Sequence, residues 1–142
     1  MRRQILNKSA YNSALEMLAK REHSCLELTR KLAQHYAEDI IAQVLETLKN
    51  QNHQSDERFT NEFIQMRFNQ GKGSIKIAID LKQRGIEDFD LSAYDFFALA
   101  KEVRVSKYGE AAPSNYKEKA KQQRFLQSRG FDFDEINLSF EP

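Results

Sequence analysis

Tryptophan is absent from this 142-residue chain, and cysteine, proline and glycine are scarce. Cys25 is the single cysteine, so no disulfide can form within the chain, and the framework of a small secreted disulfide protein is excluded. Pro113 and Pro142 are the only prolines and there are five glycines, which leaves long stretches without a backbone breaker. Charge of one sign is not in excess either: 22 Lys and Arg stand against 21 Asp and Glu, a net charge of +1, so no global basic surplus advertises nucleic acid. No run approaches the roughly 20 apolar residues of a membrane span. The N-terminus, Met1 to Lys8, holds no apolar segment long enough for a signal peptide. These absences predict a cytoplasmic protein with no membrane partner.

Catalytic chemistry is lacking as well. His23, Cys25, His35 and His53 are the only soft metal-ligand candidates, and no second close pair completes His23-x-Cys25 into a site. Gly71-Lys72-Gly73 lacks both the upstream glycine and the Lys-Ser/Thr tail of a phosphate-cradling loop. No serine or cysteine carries a nucleophile signature, and pairs such as Asp88 and Asp90 read as solvated loop charges. The sequence therefore predicts no metal, no cofactor and no enzyme.

What is present is helical pattern. Hydrophobic residues make up 40% and charged residues 30%, rich in Lys, Glu, Gln, Leu and Ala. Tyr11, Ala14, Leu15 and Leu18 form one amphipathic stripe, with Asn7 or Ser9 as its cap. Ser24 and Glu27 make a capping box that opens a helix carrying Cys25, Leu28 and Leu32 and stopping near His35-Tyr36. Ile41, Val44, Leu45 and Leu48 follow on a third helix, and residues 50–54 form a polar break. The pattern restarts at Ser55-Asp56 with Phe59, Phe63 and Met66, ends at Gly71-Lys72-Gly73, and resumes from a Ser74 cap with Ile77, Ala78 and Leu81 up to Gly85. Residues 86–93 are acidic, with room for two turns. Phe96, Leu99, Ala100 and Val103 then mark a helix to Lys107-Tyr108-Gly109. Ser114 is the expected cap of a helix bearing Tyr116, Ala120 and Leu126, and Asp132 with Glu135 form a second capping box before Phe133, Ile136 and Phe140. No stretch alternates with period two, so almost no strand is expected.

Three helix ends look alike: Leu32-Ala33-Gln34-His35-Tyr36, Leu81-Lys82-Gln83-Arg84-Gly85 and Leu126-Gln127-Ser128-Arg129-Gly130. Their spacing suits a three-helix unit, and repetition at such a period points to a tandem array. The stop glycines Gly85 and Gly130 are expected at positive φ, and Tyr36 is expected to end its helix differently. The expected units are 8–52, 55–93 (third helix short) and 94–142.

Within this frame the chain resembles the RecX family, bacterial regulators of the RecA recombinase. The residues that carry the resemblance are Arg21-Glu22-His23-Ser24, Glu27-Leu28 and Lys31-Leu32 in the first unit. In the second they are Asp56, Arg58-Phe59, Arg67, Gly71, Gly73, Ile77, Leu81 and Gly85-Ile86; in the third, Ala98-Leu99-Ala100, Lys107-Tyr108-Gly109-Glu110, Arg124-Phe125-Leu126, Arg129-Gly130-Phe131 and Ile136. The chain departs from the family pattern at His53-Gln54-Ser55, at Ser74 and at Tyr36, where Gly-Tyr-Leu, proline and glycine are usual. The resemblance implies an all-α, elongated tandem array of three three-helix repeats. It also implies a non-enzymatic regulator that binds the RecA–single-stranded DNA filament and inhibits RecA's recombinase, ATPase and coprotease activities.

Local charge supplies candidate contacts. From Arg67 to Arg84 five basic residues face one acid, Asp80, and from Lys101 to Arg129 eight face three. Arg67, Lys72, Lys76 and Arg84, with Lys121, Arg124 and Arg129, are the expected filament- or DNA-facing residues. Phe59, Phe63, Phe96 and Phe125 sit at helical spacing and read as core. The expected partner is the RecA filament, with single-stranded DNA as a further direct partner, and the protein is expected to be monomeric. Two other readings stay open: an autonomous DNA-binding helical protein and a generic helical-repeat adaptor. The absence of any one helix concentrating base-reading Arg, Asn and Gln speaks against the first.

Overall fold

The structure is a computed structural model that describes residues 5–142; Met1 to Gln4, part of the N-terminal segment read above, lie outside the described residues. Eight helices follow in chain order: α1 (Lys8–Lys20), α2 (Cys25–Leu32), α3 (Glu38–Asn50), α4 (Asp56–Asn69), α5 (Ser74–Gln83), α6 (Phe96–Tyr108), α7 (Tyr116–Ser128) and α8 (Phe133–Leu138). No strand occurs among the described residues, and no helix among them is long and apolar enough to cross a membrane. The helices pack as two compact units, one of residues 1–62 and 83–87, the other of 63–82 and 88–142, so α4 and α5 each run from one unit into the other.

In the first unit Asn7 caps α1 by accepting from the Ala10 N–H at 3.0 Å. Ala10 and Ala14 are fully buried, and their lack of bulk lets α1 approach the apolar faces of α2 and α3, where Leu28, Leu32, Val44 and Leu48 fill the core. The Ser24–Glu27 capping box is present in both directions. Asp56, at the start of α4, accepts from the Cys25 N–H at 2.8 Å, a bond across 31 positions that ties the polar break to the head of α2. Gln54 joins the same network through Asp56 Oδ1 and the His23 carbonyl. His23 is buried; its Nδ1 donates to the Arg21 carbonyl, and its Nε2 accepts from Lys31 at 3.1 Å. Burial first, and the cations Arg21 and Lys31 after it, hold its pKa below the usual histidine value.

The second unit is built around the C-terminal ends of α7 and α8. The Gly73 N–H donates to the Arg129 carbonyl at 2.8 Å and the Ile75 N–H to the Gly130 carbonyl at 2.9 Å. The head of α5 is thus capped by the tail of α7, and each set of orphan backbone groups satisfies the other with the helix dipoles in favourable order. The approach is so close that a Cβ on Gly73 would fall onto the Gly130 carbonyl, and a Cβ on Gly130 onto the Lys76 side chain. At the tail of α8, Arg104 is buried and donates from Nε and an Nη to the Ser139 carbonyl at 3.1 and 2.9 Å. Phe140 covers its guanidinium at 4.9 Å.

Several expectations need correction. Ser74 is not a cap: it lies inside α5, and its hydroxyl donates to both Glu135 oxygens at 3.0 Å. Asn115, not Ser114, caps α7 by accepting from the Glu118 N–H. The two turns expected at 86–93 do not form; the segment is irregular from Ile86 to Asp95, with Asp90 accepting from the Ser92 N–H. Aspartate competes with helical bonding in this way, which explains the loss. Met66 and Phe133 are exposed, and Ile64 and Phe131 take the core positions instead. Gly85 and Gly130 do have positive φ, 81° and 92°, while α2 closes through a turn after Leu32 with no left-handed residue at Tyr36.

Candidate binding surface

The predicted cations fall into different chemical states. Arg67 and Lys76 converge on Asp80, which is 3% exposed: Lys76 Nζ lies 2.9 Å from Oδ1 and Arg67 Nε 3.7 Å from Oδ2. Lys76 and Asp80 are an i, i+4 pair on α5, and Arg67 reaches them from α4 while its guanidinium also sits 5.0 Å from the Phe63 ring. Both cations are thereby tied to one buried carboxylate inside the fold, which offsets one of the two positive charges.

Arg84 belongs to the first unit. Its Nε lies 3.6 Å from Glu27, a carboxylate that also receives two bonds of 3.1 Å from Arg21. Burial would raise the Glu27 pKa, but Arg21 and the Ser24 N–H outweigh it and hold the carboxyl below its ordinary range. Arg84 is therefore part of a structural ion network at the head of α2.

Lys72, Lys121 and Arg124 make no ion pair among the described residues. Lys121 and Arg124 are exposed on α7 and Lys72 is half-buried in the turn before α5. Arg124 also borders a groove of about 500 Å³ floored by Ile75, Phe131 and Ile136. Arg129 is in a third state: its guanidinium stands 5.2 Å from the Phe125 ring, and Lys107 stands 4.2 Å from the same ring. An aromatic face orients a cation without cancelling its charge. Lys107 is not among the expected cations: it lies on α6, and only the fold brings it to Phe125. Phe59, Phe63 and Phe96 are buried as expected, whereas Phe125 is only half-buried beside its two cations.

Among the described residues no three His, Cys, Asp or Glu side chains gather as a metal site. The two clefts of the second unit are lined by amides, cations and apolar side chains, with Glu102 in one and Asp132 in the other.

Comparison with known proteins gives the same architecture a lineage. Residues 10–48, 55–93 and 93–138 match the first, second and third three-helix domains of RecX in turn. The chain is 33% identical over 140 residues to the regulatory protein RecX of Halorhodospira halophila, covering 94% of this chain and 87% of that one. It is 36% identical over 132 residues to the regulatory protein RecX of Chromohalobacter salexigens, covering 88% and 86%. The solved structure of RecX from Lactobacillus salivarius superposes with a TM-score of 0.78 at 22% identity over 93% of this chain and 92% of that one, a likeness of fold. All three domains match in their family order and over nearly the whole length, so this all-α chain of tandem three-helix domains belongs to the RecX family of regulatory proteins.

Proposed function

We propose that this chain binds the RecA–single-stranded DNA filament and inhibits RecA's recombinase, ATPase and coprotease activities, acting as a cytoplasmic monomer and catalysing no reaction itself. The observation that carries the reading is the match of all three domains to a family of regulatory proteins. The charge arrangement supports it: a tandem array whose cations are spread over α4, α5, α7 and the turns beside them suits a long polyanionic assembly better than a compact ligand. The repeats 8–52, 55–93 and 94–142 are the modules of this contact. Arg67, Lys72, Lys76, Arg84, Lys121, Arg124 and Arg129 are its basic residues, with Lys72, Lys121 and Arg124 carrying most of the attraction because no carboxylate among the described residues pairs with them.

The test is RecA ATPase on single-stranded DNA titrated with this protein, beside its affinity for bare and for RecA-coated strands. Inhibition with preference for the coated strand is the expected result. An ATPase left untouched overturns the reading. Equal affinity for bare and coated strands, with no inhibition, points to an autonomous DNA-binding protein.

A further inference from the structure

In the second unit, the end of α4 and the turn after it, α6 and the end of α7 enclose an open cleft of about 300 Å³. Its polar lining includes Asn69, Gln70, Lys107 and Arg129, and hydrogen bonding inside the protein fixes what these residues present. The Asn69 Oδ1 accepts from Gln65 Nε2 at 2.9 Å, and the Gln70 Oε1 accepts from an Arg67 Nη at 3.2 Å. Each amide oxygen already has a donor, so the two NH₂ groups keep the unused hydrogens. Lys107 and Arg129 make no ion pair among the described residues, and both are held against Phe125. Their charge is positioned and not neutralised. Tyr108 packs edge-on against the same ring, with centroids 5.6 Å apart, and steadies it further.

Four donor groups from three separated stretches of chain therefore meet at one cleft, two of them cationic. Such a set matches an anion with several oxygens. The guanidinium offers a fork, the ammonium a point charge, and the amides two neutral donors. Beside the donors stand Leu99 and Val103, an apolar wall. An isolated carboxylate would leave that wall bare, whereas a nucleotide sets a sugar next to its phosphate. Lys107 and Arg129 stand 4.2 and 5.2 Å from the Phe125 ring centroid, so the charge of the cleft is gathered at this ring, where it suits contact with a phosphate backbone. Glu102 is the one carboxylate in the lining; it is exposed and opposes anion binding from the rim.

We propose that this cleft is a phosphodiester-binding site for single-stranded nucleic acid, with Lys107 and Arg129 as its charged contacts and Asn69 and Gln70 as its neutral ones. The proposal rests on the filament reading and deepens it: it assigns the second unit a direct grip on the strand, independent of contacts to protein. A phosphate site of this kind is blind to base sequence.

The experiment measures binding of a fluorescent oligodeoxythymidylate to the full chain across a salt series, with RecA ATPase inhibition measured in parallel. K107Q/R129Q should weaken binding and flatten the log-affinity against log-salt slope by about 1.4, from about 0.7 per lost contact on a single strand. K20Q/K49Q, which removes the same charge from the first unit, should leave the slope within error. E102Q should tighten binding, because it removes the opposing charge and leaves a neutral amide. Helicity of every variant is checked first, and E102Q supplies a gain that misfolding cannot mimic. An unchanged slope in K107Q/R129Q, or an unchanged affinity in E102Q, overturns the site. Lost ATPase inhibition with unaltered oligonucleotide binding overturns it too, and assigns the cleft to an acidic protein surface. If the wild-type protein binds the oligonucleotide through these residues yet leaves RecA untouched, the cleft stands and the filament reading falls.

Discussion

At the scale of single residues, the glycines separate two effects that usually arrive together. Gly109 has φ 87° and open space where a Cβ would go, so only the left-handed backbone resists a side chain. Gly73 has no positive φ, but a Cβ there would strike the Gly130 backbone. Gly130 combines both, with φ 92° and Lys76 in the way. Gly109→Ala should therefore cost about 1–3 kcal/mol, the conformational penalty alone of a backbone at φ 87° and ψ 173° that is essentially reserved for glycine. Gly73→Ala should cost about 1–3 kcal/mol from overpacking against backbone that cannot rotate aside. Gly130→Ala should cost roughly the sum of the two, above the value expected for a stop glycine by itself. Urea unfolding of the three variants checks the order, and a Gly130→Ala no worse than Gly109→Ala would contradict the close junction. The stop at Gly130 was legible because Leu126-Gln127-Ser128-Arg129-Gly130 repeats the pattern of the other two helix ends. The sequence could not show that Gly73 and Gly130 touch, because neither carries a side chain whose pattern would betray a neighbour 57 positions away.

At the scale of the element, the two capping boxes were legible because all the chemistry of such a box lies within four residues. What surrounds them was not, and the surroundings reverse their electrostatics. Glu27 has Arg21 and Arg84 beside it and a lowered pKa. Glu135 is 4% exposed; burial raises its pKa, and the bonds from the Asp132 N–H and Ser74 do not overcome that burial. The sign of the stability dependence follows from each. For Glu27 the stabilisation is fully present above the ordinary glutamate value of about 4.3 and is lost as pH falls through the lower folded value. For Glu135 the folded state holds the proton more tightly, so stability declines as pH rises from about 4.3 through the raised folded value. Glu27→Gln should then cost on the order of 1–3 kcal/mol at neutral pH, with the deficit shrinking in acid. Glu135→Gln should show the opposite trend, its relative stability improving as pH rises. Unfolding curves at neutral and acidic pH distinguish the two, and parallel pH trends would refute the contrast. Ser24→Ala, at a fully buried cap, should cost about 1 kcal/mol at both pH values, because a hydroxyl does not titrate there. The irregular 86–95 segment was misread for the complementary reason: its acids and turn-forming Asp90 act through local bonds that a hydrophobic count ignores.

At the scale of the whole molecule, the tandem helical plan was legible because it rests on periodicity and repeated stops. The binding surface was only partly so, because a basic cluster in sequence does not reveal which charges are already spent. Arg67 and Lys76 are committed to Asp80 and Arg84 to Glu27, whereas Lys72, Lys121 and Arg124 face no carboxylate within ion-pair distance among the described residues. Reversing a committed charge breaks the fold as well as any contact. Lys76→Glu would set a second carboxylate beside Asp80, itself 3% exposed, and should destabilise the protein by about 3 kcal/mol or more. Reversing an uncommitted charge removes attraction alone. A K72E/K121E/R124E variant should unfold at nearly the wild-type denaturant concentration, since Lys121 and Arg124 are exposed and none of the three charges is in an ion pair among the described residues. Its inhibition of RecA ATPase should nevertheless be severely weakened, and the remaining inhibition should depend less steeply on salt, because fewer counterions are displaced on binding. Each single reversal should weaken inhibition only modestly, as contacts distributed along an extended partner share the load. Titrating RecA ATPase with the three single variants, the triple variant and Lys76→Glu, after measuring the stability of each, separates lost contact from lost fold. A triple variant that inhibits like the wild type would move the filament contact off α7 and the turn before α5, whatever the fate of the committed pairs.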